Sequence, residues 1–257
     1  MSLNFCFIGA GNLATNLSKA LQKKGFNIVQ VFSLTEQSAK ALAEILKVKY
    51  TTSVNEIDKN ADVYFIAIND SAVSDVLAKI NFNNKLVVHC SGSLPLRAIE
   101  GFSENIGVFY PLQTFSKNRE VDFNDIPVFI ESNSAKNQKL LLQIAKTVSK
   151  SVTVADSETR KILHISAVFA CNFVNHFYTI AAEILKTKNI PFDVLKPLIT
   201  ETAQKVQSTS PENAQTGPAV RFDENIIKAH IQELRNFEDY RQLYMSVSKS
   251  IFEHHKK

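Results

Sequence analysis

Asn4-Phe5-Cys6-Phe7-Ile8-Gly9-Ala10-Gly11-Asn12-Leu13-Ala14 is the stretch that decides the fold class. Asn4 to Ile8 is short, apolar and aromatic, the composition of a strand buried on both faces. Gly9-Ala10-Gly11 breaks that run. From Asn12 to Lys24 the pattern is helical, with Leu13, Leu17, Ala20 and Leu21 on one face and Lys19, Lys23 and Lys24 on the other. Gly25 ends the helix, and Asn27 to Phe32 reads as a second strand. The turn therefore matches G-x-G-x-x-G/A in the strand–turn–helix setting that gives the pattern meaning. Gly9 would make the tight turn, Gly11 would admit a pyrophosphate close to the backbone, and Ala14 would let helix and strand pack closely. The phosphates would rest on backbone around Ala10, Asn12 and Leu13, at the helix N-terminus.

The alternation continues outward from this unit. Helices are expected at Glu36–Leu46, Ser71–Lys79 and Ala135–Val148. Strands are expected near 47–51 and at Asp62–Ile68, Leu86–Cys90, Ile106–Tyr110, Val128–Glu131 and close to Val152. Alternating strands and helices predict a doubly wound parallel sheet. After Asp156 only helices are expected: Glu158–Lys188, Phe192–Ser208, Asp223–Arg235 and Phe237–His255, with 189–191 and Ser208–Pro218 as loops. The expected architecture is α/β: a Rossmann dinucleotide-binding domain over 1–155, then an all-α substrate and dimerisation domain over 156–257.

Composition excludes several classes. The net charge of +4 comes from lysines scattered over helix-like stretches, and no zinc-finger spacing or arginine-rich arm points to nucleic acid. Cys6, Cys90 and Cys171 are far apart in apolar runs, so buried reduced thiols are expected, without a disulfide framework or metal site. The first residues read as a strand and not as a signal peptide, which with the thiols predicts a cytoplasmic protein. Ile162 to Leu185 is apolar enough to resemble a membrane span. It carries His164, Asn172, Asn175, His176 and Glu183, however, so a buried helix of a soluble protein is expected.

Candidate site residues follow from the motif. The second strand ends in Ser33-Leu34-Thr35, with no carboxylate until Glu36, which favours NADP over NAD because an acidic side chain there would repel a 2′-phosphate. Ile68 and Asn69 should line the cofactor by their backbone, and Asp70 should cap the helix that follows. His89 and Ser91 end another strand and either approach the nicotinamide or serve structure. On the long helix, His164, Cys171, Asn172, Asn175 and Thr179 fall on one stripe at 100° per residue. That stripe faces either a cleft or a satisfied internal network. Tyr110 and Gln113, in Phe109-Tyr110-Pro111-Leu112-Gln113-Thr114-Phe115, fit a cleft wall. Arg221 precedes the expected N-cap Asp223 and either binds an anion or pairs structurally.

Gly9–Ala14, the His89-Cys90-Ser91-Gly92-Ser93 strand end, Phe109–Ser116 and the Gly217–Asp223 turn, in that order, resemble a bacterial Rossmann-like family with a helical C-terminal domain of unknown function. Its members are often provisionally labelled NADP oxidoreductases. The wider resemblance is to pyrroline-5-carboxylate reductase, 6-phosphogluconate and 3-hydroxyisobutyrate dehydrogenases and deazaflavin-dependent NADP oxidoreductase. It implies a homodimer formed by the helical domain, a substrate pocket where the domains meet, and hydride transfer between NADP(H) and a small polar or anionic molecule. In the hydroxyacid branch a lysine and an asparagine on the long helix assist catalysis; here His164 and Asn172 are the nearest counterparts, and the lysine is absent. His164 is then the expected acid/base group, since histidine ordinarily titrates near neutrality, with Asn172 orienting the substrate and Tyr110, Gln113, Asn175 and Arg221 binding it. The alternative is a non-catalytic NADP(H) sensor or structural protein on the same fold.

Overall fold

The computed structural model describes residues 3–256. Its first part alternates as β1 (Asn4–Ile8), α1 (Asn12–Lys23), β2 (Asn27–Phe32), α2 (Glu36–Leu46), β3 (Lys49–Thr51), β4 (Val63–Ile66), α3 (Val73–Leu77), β5 (Leu86–His89), β6 (Ile106–Pro111), β7 (Val128–Ser132), α4 (Ala135–Val148) and β8 (Val152–Val154). The strands form one eight-stranded sheet in the order β3-β2-β1-β4-β5-β6-β7-β8. The two-residue period of β1 divides the core. Phe5 and Phe7 face a layer that includes Leu17, Phe65, Val88, Phe109 and Leu141, while Cys6 and Ile8 face Tyr64, Ile66, Val76 and Val87. Both faces being covered explains why the strands read as continuous apolar runs. Chain order reverses between β1 and β4, both of which pair parallel, so a crevice opens beyond their carboxyl ends.

The expected doubly wound sheet is present and mostly parallel, with one antiparallel pair. β7 runs antiparallel to β6, with Gly107 opposite Ser132 and Pro111 opposite Val128, and β8 then pairs parallel to β7. A parallel return needs a crossover, usually a helix, and the segment between β6 and β7 holds only the 3₁₀ turn Phe123–Asp125. Without a crossover helix the chain comes straight back.

The helical part comprises α5 (Ser157–Ala167), a π-helical segment Val168–Phe173, α6 (Val174–Lys186), α7 (Lys196–Ser208), α8 (Pro211–Ala214), α9 (Pro218–Arg221), α10 (Glu224–Glu233) and α11 (Glu238–His255). The stretch expected as a loop over Ser208–Pro218 thus contains or begins two four-residue helices. The compact units divide after Asn172, so α5 belongs with the sheet. In the second unit Asp223 caps α10 by accepting from Ile226 N at 3.3 Å, as its sequence position suggested, and the Phe222 and Phe252 rings lie 4.5 Å apart.

Two further expectations fail around the long helix. Ser157–Lys186 is long and apolar enough to cross a membrane by length and composition, yet few of its residues are buried within the chain, so it is not a buried core helix. The π segment also widens the turn, so a 100° wheel does not carry its phase from His164 to Asn175. Cys6 and Cys90 are buried free thiols, but Cys171, on the π segment, is exposed.

Candidate functional site

The site is built first by glycines. Gly9 holds φ 122°, a left-handed value costly for other residues, and a Cβ on it would lie 2.2 Å from the Ala67 carbonyl oxygen. Its N–H donates to Phe32 O at 2.8 Å, while Ala67 N donates to Ile8 O at 2.8 Å. The turn is thereby clamped between β2 and β4. Gly11, the N-cap of α1, has ordinary extended geometry, and a Cβ there would meet no protein atom within 4 Å. The space above it opens to the cleft. No side chain caps this helix end, so its first-turn N–H groups are available to an anion. Ala14 is fully buried against the sheet. Dinucleotide phosphates fit this cradle.

A cleft of about 720 Å³ extends from it. Ser33, Leu34 and Ser38 line the end beyond β2. Gly9–Leu13 and Ile66–Asp70 line the middle, and Cys90–Ser93, Tyr110, Lys117 and His164 complete the wall. Of the expected residues, Gly9, Ala10, Gly11, Asn12, Leu13, Ser33, Ile68, Asn69, Ser91, Tyr110 and His164 come together here. Thr35 does not line the cleft; it is the N-cap of α2 without a side-chain bond. Gln113 is exposed outside the lining and accepts from Thr114 N at 2.8 Å. Asn172 is exposed and outside the lining as well, while Asn175 and Arg221 are exposed residues of the second unit.

His89 lies beneath the cleft instead of lining it. Its side chain is 1% exposed, and its Nδ1 accepts from Ser91 N at 3.2 Å. Burial, reinforced by the Arg160 charge and opposed by Asp70, pushes its pKa down to about 3, so the ring is neutral near pH 7. Its Nε2 has no hydrogen-bond partner among the described residues. His89 shapes the loop after β5.

Asp70 departs from its expected capping role. Asn69 occupies the N-cap of the following 3₁₀ turn, and Asp70 Oδ2 accepts instead from Ser91 Oγ at 2.8 Å and Ser93 Oγ at 2.6 Å. Ser91 Oγ in turn accepts from Ser93 N and Leu94 N, both at 3.1 Å. This ties the loops after β4 and β5 into one wall. Gly92 sits within it for a steric reason: a Cβ would lie 2.6 Å from Tyr110 Cζ and 2.7 Å from His164 Nδ1.

The vacated space lets Tyr110 and His164 meet, with the hydroxyl 3.2 Å from Nδ1 and the ring centroids 6.2 Å apart. Burial raises the Tyr110 pKa against an opposing effect of Arg160, so the phenol keeps its proton near neutrality. A protonated phenol can donate to Nδ1, with the histidine's proton on Nε2, or accept from an Nδ1–H.

Arg160 fixes the helix that carries His164. Only 1% exposed, it pairs with Glu131 on β7 and donates to Leu94 O at 2.7 Å. Ser157 Oγ donates to Glu131 at 2.9 Å and accepts from Leu96 N at 3.0 Å. One turn of α5 separates Arg160 from His164, so this buried network sets the imidazole against the Gly92 loop. Sequence reading missed Asp70, Gly92, Lys117 and Arg160 as site-forming residues. Only Gly92, inside the His89–Ser93 motif, had a local signal. Among the described residues no group of three or more His, Cys, Asp or Glu side chains could hold a metal ion.

Residues 4–92 match the family described as NADP oxidoreductase coenzyme F420-dependent, and residues 126–251 match Domain of unknown function (DUF2520). No curated protein matches the chain. A Bacteroides fragilis protein of solved structure, provisionally named an NADP oxidoreductase, is 50% identical over 98% of both chains, with a TM-score of 0.95. More distant structures share the fold. A pyrroline-5-carboxylate reductase from Streptococcus pyogenes is 14% identical over 97% of this chain and 99% of its own, with a TM-score of 0.67. An imine reductase from Myxococcus stipitatus, solved with NADP+, is 15% identical over 97% and 92%, with a TM-score of 0.64. The chain belongs to the family that joins this NADP oxidoreductase domain to a C-terminal DUF2520 domain.

Proposed function

We propose that the protein transfers a hydride between NADP(H) and a small polar or anionic substrate, with His164 as the acid/base group. The observation that carries this reading is the Tyr110–His164 pair, which lines the same cleft as the Gly9–Leu13 turn. The nicotinamide, when bound, supplies or accepts the hydride. The chain's own work is to bind, orient and move a proton. Tyr110 donates to His164 Nδ1, which holds a proton on Nε2 for a substrate atom that gains charge. Asp70 and the Ser91–Ser93 hydroxyls keep that wall in place.

NADP is preferred in this reading to NAD. Ser33, Leu34 and Ser38 line the cleft beyond β2 and bring no carboxylate to repel a 2′-phosphate. Glu36, the first acid after β2, accepts from the Tyr50 hydroxyl at 3.3 Å. Asn172, Gln113, Asn175 and Arg221 are the proposed polar contacts of the substrate. A homodimer through the helical domain, and a reducing cytoplasmic setting for the free thiols, belong to the same proposal.

The test is NADPH consumption against small cyclic imines, keto acids and aldehydes. Turnover by the wild type should fall about 100-fold in His164→Ala and about tenfold in Tyr110→Phe, with NADPH affinity within about twofold of wild type in both. Binding without turnover, unaltered by His164→Ala, would favour a sensor.

A further inference from the structure

The segment between β6 and β7 has no regular helix to place it, yet one buried amide anchors it. Asn16, on α1, is only 6% exposed, and a buried amide must find partners. Its Nδ2 donates to Asn12 O at 2.8 Å, within the helix, and to Ser116 O at 3.1 Å, one hundred residues away. Ser116 O also accepts from Arg119 N at 3.3 Å, so the anchored carbonyl closes a turn whose next residue is Lys117. Lys117 lines the cleft and has no carboxylate partner among the described residues. It is the one lysine or arginine in that lining, and Asp70 is the one acid.

The α1 N-terminus offers about half a positive charge to a group that carries two negative ones. A pyrophosphate in the Gly11 cradle would thus be under-compensated by backbone alone. Lys117 follows the Ser116 carbonyl held by Asn16, one helical turn after Asn12, and lines the same cleft as the Gly9–Leu13 turn. We propose that Lys117 is the cationic partner of the dinucleotide's pyrophosphate, delivered to the glycine turn by the hydrogen bond from Asn16 to Ser116. This rests on the cofactor reading above. The Asn16 amide is then a positioning group, and Lys117 a binding residue for the phosphates.

The experiment is equilibrium titration of the full chain with NADPH, NADH and ADP-ribose, followed by nucleotide fluorescence or calorimetry. Lys117→Gln should weaken all three by the same factor, about tenfold, and Lys117→Arg should stay within about threefold of wild type. Asn16→Ala should weaken binding too, and the double variant should lose little beyond Lys117→Gln alone. Unchanged binding by Lys117→Gln overturns the inference. So does a loss for NADPH that NADH and ADP-ribose escape, since the lysine would then meet the 2′-phosphate. Fully additive losses overturn delivery by Asn16. A wild-type protein that binds none of the three overturns the cofactor reading itself, and that result is read before any variant is compared.

Discussion

Gly92 shows how a single missing side chain can make room for a contact between two cleft side chains. A Cβ at this position would fall inside the van der Waals envelope of both Tyr110 and His164, and the buried Arg160–Glu131 network limits how far α5 can move aside. Gly92→Ala should therefore separate the pair, destabilise the fold by about 1–3 kcal/mol, and reduce turnover about tenfold or more while NADPH affinity holds. Thermal unfolding and steady-state kinetics read the two parts, and full activity in this variant would refute a role for the Tyr110–His164 contact. At this scale the sequence is only partly legible. Gly9, Gly11 and Ala14 could be assigned because each is demanded by local geometry at fixed spacing. Asp70 and Arg160 could not, because Ser91 and Glu131 lie 21 and 29 residues from them, and Lys117 could not, because the Ser116 carbonyl beside it is held by Asn16, one hundred residues away; no local pattern encodes such pairings. His89 was ambiguous in sequence because a buried structural histidine and a site histidine occupy the same strand-end position; its burial separates the two.

Among the elements, those fixed by hydrophobic period were readable: β1, α1, β2, α2 and α4 lie where the pattern put them. Those decided by connection were not. β7 runs against β6 because its connection lacks a crossover helix, and the strand's composition carries no mark of direction. The π segment is equally silent in sequence, since it changes the residue count per turn and not the residue types. In the second unit, Phe177 and Ile184 are seven residues apart on one face of α6, and both are exposed, as are Val194 and Leu198. Apolar residues gathered this way point to an interface, and the homodimer of the proposed function would cover them. Phe177→Glu combined with Ile184→Glu should convert a dimer into a monomer with unchanged helix content, as read by sedimentation and circular dichroism. A wild-type protein that sediments as a monomer at tens of micromolar would contradict that assignment.

On the scale of the whole molecule, one crevice gathers the candidate site. The reversal of strand order between β1 and β4 opens it, the glycine turn gives it an anion cradle, and the loops after β4 and β5 give it a polar wall facing Tyr110 and His164. The α/β class and the dinucleotide turn were legible because both arise from contiguous sequence. The wall was not, because it joins residues from the ends of β4, β5 and β6 and from α5. The central claim is that this crevice binds NADP(H). Titration of the purified protein with NADPH and NADH, beside a Gly11→Asp control, tests it most directly. Saturable NADPH binding is expected, tighter than NADH by about tenfold or more and abolished when a carboxylate fills the open space above residue 11. Binding of neither nucleotide, or NADPH binding that survives Gly11→Asp, would contradict it.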